Sequence, residues 1–202
     1  MEIINDYSAK VDNLRFDGYQ VKIEQYLRKG LWIFQQKSEL FLIYTVVFLA
    51  VMPFGGFLFS GPLAAGFFMV AHRIVRGKYV QIDHFFDGFR FFIPLFLLVI
   101  VSVILVFLGT LVLIIPGIYL SVGYTFAIFF VIFGKSDFWD AMELSRKLVS
   151  REWFAIFGLT LVLGLLNLLG ALAFGVGLLF SIPITYCALY AAFDDIIGAD
   201  QV

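Results

Sequence analysis

The sequence predicts an all-α, polytopic membrane protein: about six transmembrane helices in three hairpins, with amphipathic interfacial helices on the cytoplasmic side. Three observations carry this reading. First, 62 % of the 202 residues are hydrophobic and 14 % charged, with a mean hydropathy of +0.98. Soluble domains run at roughly 45–50 % apolar and about 25 % charged, so much of the apolar surface must face lipid. Second, the apolar residues fall into runs near the roughly 20 residues that a helix needs to cross about 30 Å of hydrocarbon. Third, no Lys, Arg, Asp or Glu occurs in the three short segments that reverse the chain between alternate runs.

Residues 1–21 form a polar N-terminal segment carrying both signs of charge. No apolar core lies close to Met1, so the first span is expected to stay in the mature protein. A single membrane domain follows over 22–198, and 199–202 make a C-terminal tail. Its spans are read at about 40–59, 61–76, 92–113, 116–134, 153–173 and 175–193. The second is short and ends in His72, Arg73 and Arg76, which leaves open whether it crosses fully or re-enters. The turns are PFGGFLFSGP (53–62), GTLVLIIPG (109–117) and GALAFGVG (170–177), rich in the Gly and Pro that tight reversals need.

Orientation follows from the basic residues, which are retained on the cytoplasmic side. Lys22, Arg28, Lys29 and Lys37 precede span one. Arg73, Arg76, Lys78 and Arg90 follow span two, and Lys135, Arg146, Lys147 and Arg151 follow span four. These segments share a side only if the spans come in pairs, which places both termini in the cytoplasm. The segments themselves have a helical apolar period. Ile23, Tyr26, Leu27 and Phe34 share a face, as do Ile82, Phe85, Phe86 and Phe89, and Phe138, Met142, Val149 and Trp153. Such helices lie in the membrane interface or pack on the span ends.

The order amphipathic helix, span, turn, proline-started span recurs three times. PLAAGFFMVAHRIVRG (62–77) and PITYCALYAAFDDIIG (183–198) are equal in length, with Arg73 opposite Asp194; the middle copy, Pro116–Gly134, is three residues longer.

The strings GPLAAGFFMVAHRIVRG, DHFFDGFRFF, LIIPGIYLSVGYTFA and DAMELSRKLVSREWFAIFG, with the closing YAAFDD, resemble a group of uncharacterised bacterial inner-membrane proteins. That group carries GPL…G, FxDxFxGF, IIPGI and AxxxSRxxV motifs, and the resemblance runs from about Tyr26 onward. More loosely, the chain is similar to the membrane domain fused to some glycerophosphodiester phosphodiesterases, without their catalytic domain. The resemblance implies a fold and the bacterial cytoplasmic (inner) membrane, not a reaction.

Residue chemistry narrows the functions. There is no HExxH, and His72 and His84 are the only histidines. No cofactor or metal is expected. A net charge of −1 gives no pull toward nucleic acid. Cys187 reads as a packing residue. Mid-span ionisable groups, which proton pumps and ion-coupled carriers use, are missing from all six runs. His72, Arg73, Arg76, Lys78 and Asp194 form a candidate lipid head-group or ion-pair cluster, with Asp194 expected to pair with Arg73. Asn167 is a candidate intramembrane polar contact. Three functions compete: a non-enzymatic protein organising lipid or partner proteins, by self-association or otherwise, at the cytoplasmic face; a permease for an apolar or lipid-like solute; and a lipid head-group enzyme using Arg73, Arg76 and Asp194.

Overall fold

The computed structural model describes residues 2–199, so most of the expected tail at 199–202 lies outside the described residues. Within them the chain forms nine α-helices, one 3₁₀ helix and no strand. The α-helices are α1 (Glu2–Asp17), α2 (Ile23–Gln36), α3 (Ser38–Val75), α4 (Phe92–Val112), α5 (Ile114–Gly123), α6 (Ala127–Ile132), α7 (Phe138–Arg151), α8 (Trp153–Leu172) and α9 (Leu178–Ile196). The 3₁₀ helix spans Ile82–Phe91. Six segments are long and apolar enough to cross a membrane: Ser38–Gly56, Leu58–Val75, Ile82–Val112, Ile114–Ile132, Trp153–Leu172 and Leu178–Ile196.

They pair as three hairpins. The first lies within α3, which turns at Gly55. Tyr44 donates to the Leu63 carbonyl at 2.9 Å; in a straight helix these residues would stand about 28 Å apart. At the second tip Leu113 is extended (φ −158°, ψ 144°), and at the third Phe174 and Gly175 take left-handed conformations (φ 55° and 76°). Gly170 and Gly177 let the last two helices meet backbone to backbone: a β-carbon on Gly177 would lie 2.7 Å from the Gly170 Cα.

Each hairpin has an outer and an inner limb. The apolar stretches of the second spans are 67 %, 44 % and 50 % buried, against 28 %, 11 % and 22 % for the first spans. The proline-started limbs therefore make the core, and the others face outward with residues such as Ile104, Phe107 and Leu165 exposed. Aromatic rings join the inner limbs. Phe67 stacks on Tyr186 with centroids 4.7 Å apart; Phe68 meets Phe129 at 4.2 Å, and Phe129 stacks on Phe193 at 4.6 Å. Such pairs add about 0.5–1.5 kcal/mol beyond area burial, which matters where lipid removes the hydrophobic drive between helices.

Two features differ from simple sequence periodicity. The polar first segment is a helix whose Tyr7 and Val11 are fully buried; Tyr7 stacks on Phe193 and donates to the Gly198 carbonyl at 3.2 Å. The segment at 82–91 is 3₁₀ rather than α. At three residues per turn, Ile82, Phe85, Gly88 and Phe91 form one stripe, and Phe85 and Gly88 are its buried members. Phe86, placed on the apolar face by a period of 3.6, is 43 % exposed.

Candidate functional site at the charged end

The ends of α2, span two and α9 meet, and their charges pair. Asp194, with only 12 % of its side chain exposed, accepts from Lys29 Nζ at 2.8 Å and Arg76 Nη2 at 3.4 Å. The hydroxyl of Tyr190 approaches Asp194 Oδ1 at 3.5 Å and His72 Nδ1 at 3.1 Å, which links the buried imidazole to the carboxylate. One residue on, Asp195 accepts from Tyr26 at 2.8 Å and lies 3.5 Å from Lys22 Nζ. Burial pushes the Tyr26 hydroxyl up to about 12, so it remains a donor at neutral pH. Close approach makes this possible: a β-carbon on Gly30 of α2 would stand 2.7 Å from the Ala188 nitrogen of α9.

Asp194 does not pair with Arg73. Arg73 Nη2 lies 3.4 Å from Asp87 Oδ2, and Arg90 approaches the other oxygen of the same carboxylate at 3.1 Å. The 3₁₀ helix packs along span two and claims the guanidinium for its own carboxylate. Arg76, one turn closer to the end of the span, reaches Asp194 instead. The expected cluster is therefore two ion-pair groups: Lys29, Arg76 and Asp194 in one, Arg73, Asp87 and Arg90 in the other. Lys78 follows Gly77, which has a left-handed φ of 64°, and its N–H donates to the Arg73 carbonyl at 2.9 Å. His84 accepts the Gln81 N–H at 2.9 Å and so helps cap the 3₁₀ helix.

Replacing Asp194 with alanine leaves Lys29 and Arg76 without that shared carboxylate. The expected cost is about 1–2 kcal/mol, between an exposed pair and a buried one. The charge-swapped double variant, Lys29→Asp with Asp194→Lys, recovers part of it. Thermal unfolding of the detergent-extracted protein measures both, and a double variant no better than the singles would show that the pair is not coupled.

Asn167 lies away from this end. Its Nδ2 donates to Thr185 Oγ1 at 2.9 Å across α8 and α9 and to the Leu163 carbonyl at 3.1 Å, while its buried Oδ1 has no partner.

Sequence reasoning missed a polar element at α7. Span four breaks between Gly123 and Ala127, and the intervening residues 124–126 equal the three by which the middle repeat is longer. A break inside a span leaves backbone groups with no water to satisfy them. Buried Ser145 of α7 satisfies two: its hydroxyl donates to the Gly123 carbonyl at 2.7 Å and accepts from the Phe126 N–H at 3.1 Å. Ala141, Ser145 and Val149, the small and apolar positions of the AxxxSRxxV string, are all fully buried. The next residue, Arg146, is tied to Glu143 at 2.7 Å, and that hydrogen bond raises its pKa further. Tyr19, on the α1–α2 connection, donates to the Leu148 carbonyl at 3.1 Å; burial, then the Glu152 carboxylate, pushes its hydroxyl up.

In comparisons with known protein families, curated proteins and solved structures, the chain matches none.

Proposed function

We propose that this is a non-enzymatic protein of the bacterial cytoplasmic membrane, with both termini in the cytoplasm, that organises membrane lipids or partner membrane proteins at its charged face. One observation carries the reading: the charged end is committed to holding helices together. Asp194 pairs with both Lys29 and Arg76, and Asp87 pairs with both Arg73 and Arg90. A head-group enzyme built on Arg73, Arg76 and Asp194 has less support, because Arg73 belongs to the other group. A permease draws on a groove of about 400 Å³ along α4 and α5 bordered by Ser102, Thr110, Ser121 and Tyr124. Asn167, the strongest intramembrane polar group, is instead bonded to Thr185 on other helices.

Native mass spectrometry of the gently extracted protein tests the proposal. Bound lipid or a co-purifying membrane protein, including a second copy, is the expected result. A bare monomer under conditions that retain lipid on other membrane proteins would overturn it.

A further inference from the structure

A groove of about 740 Å³ runs between α5 and α8 where α8 leaves α7. This is within the 300–1,000 Å³ of small-molecule sites. Its wall is apolar: Ile118 and Tyr119 from α5, and Trp153 and Phe157 from α8. The wall is also fixed. Trp153 stacks on Phe157 at 5.2 Å and on Tyr119 at 5.8 Å, and its indole N–H donates to the Tyr119 carbonyl at 3.3 Å. Ser150 and Arg151, the last residues of α7, complete the lining.

Arg151 differs from the other arginines near the span ends. Arg73, Arg76, Arg90 and Arg146 each have a carboxylate within 4.0 Å. Among the described residues Arg151 forms no such pair, and it is exposed. Trp153, two residues away, opens a 20-residue helix that has no side-chain cap. The N-terminal dipole of that helix offsets the opposite dipole at the end of α7 and the negative charge of its N-cap residue, Glu152. An exposed cation with no carboxylate within 4.0 Å among the described residues, beside an aromatic trough between α5 and α8, matches one kind of molecule. That molecule has an anionic head and an apolar tail.

We propose that this groove binds one anionic phospholipid, with the head-group phosphate on Arg151 and an acyl chain along Tyr119, Trp153 and Phe157. The proposal rests on the reading of the protein as a lipid organiser and moves the head-group contact away from the His72–Lys78 region.

Trp153 reports on its own site. Trp32 and Trp139 are 48 % and 59 % exposed, and their replacement by phenylalanine leaves Trp153 as the only indole. That variant is reconstituted in mixed phosphatidylcholine and phosphatidylglycerol vesicles, with brominated chains on one lipid or the other. Bromine on phosphatidylglycerol is expected to quench Trp153 about fivefold more effectively per molecule, the preference of one interfacial cation for an anionic lipid. Arg151→Gln reduces the preference to parity, whereas Arg15→Gln, on α1, leaves it intact. Parity in the parent variant, or a preference that survives Arg151→Gln, overturns the site. If lipid still co-purifies in that case, the broader reading stands; if neither lipid nor protein co-purifies, both fall.

Discussion

Gly88→Ala is expected to lower the stability of the extracted protein by about 3 kcal/mol, as overpacking against backbone does. A β-carbon on Gly88 would overlap the carbonyl oxygen of Pro62 and stand 3.0 Å from the Ala65 β-carbon. The facing glycine, Gly66, is equally constrained, because its added carbon would overlap the Phe85 carbonyl and lie 2.7 Å from the Tyr44 hydroxyl. The overlapped atoms, the Pro62 and Phe85 carbonyl oxygens, are backbone of two packed elements, so relief requires the 3₁₀ helix to lift from span two. That movement would also separate Phe85 from Tyr44, whose rings lie 4.4 Å apart, and pull Asp87 from Arg73. Gly164→Ala is the control. Nothing lies within 4 Å of its added carbon, and α8 gains about 0.5–1 kcal/mol from lower backbone entropy and better helix propensity. Thermal unfolding in detergent separates the two. A Gly88→Ala protein melting with the wild type would mean that the 3₁₀ helix is not seated on the core.

The second large effect is expected at Ser145. Alanine there removes one hydroxyl and leaves two backbone groups, the Gly123 carbonyl and the Phe126 N–H, without that partner in an apolar interior. Unsatisfied buried groups cost about 1–3 kcal/mol each, so Ser145→Ala should cost about 2–4 kcal/mol. Ser150→Ala, five residues on and exposed, removes only a bond to the Lys147 carbonyl and should change stability by less than about 0.5 kcal/mol. Hydrogen exchange adds a local readout: the Phe126 amide should lose protection in Ser145→Ala while the α9 amides keep theirs. Equal stability of the two variants would show that α7 does not clip the broken span.

These sites mark where the sequence was legible and where it was not. Span existence and pairing could be read because apolar run length and charge placement are imposed by the membrane itself. The length difference in the middle repeat was visible, but its meaning was not. Three extra residues can extend a helix or interrupt one, and only the position of Ser145 distinguishes the two. Partner choice at the charged end was likewise beyond the pattern. The sequence brings Arg73 and Asp194 to one end, but the 3₁₀ helix, whose three-residue period differs from the expected one, delivers Asp87 to Arg73 first. Tyr7 and Val11 were hidden by a polar segment average, because two apolar residues one helical turn apart are enough to dock α1. The Arg151 groove needed three dimensions, since its walls come from helices more than thirty residues apart in the chain.

In the hairpin architecture the charged residues share one membrane face and the hairpin tips the other. Single cysteines in a Cys187→Ala background, read with an impermeant thiol reagent on intact cells and on inverted vesicles, test this directly. Phe54, Val112 and Val176 mark the tips and are exposed; Arg28 and Asp140 mark the charged end. The prediction is labelling of the three tip positions only from outside the cell and of Arg28 and Asp140 only from the cytoplasmic side. Labelling of any tip from the same compartment as Arg28 would contradict the hairpin architecture.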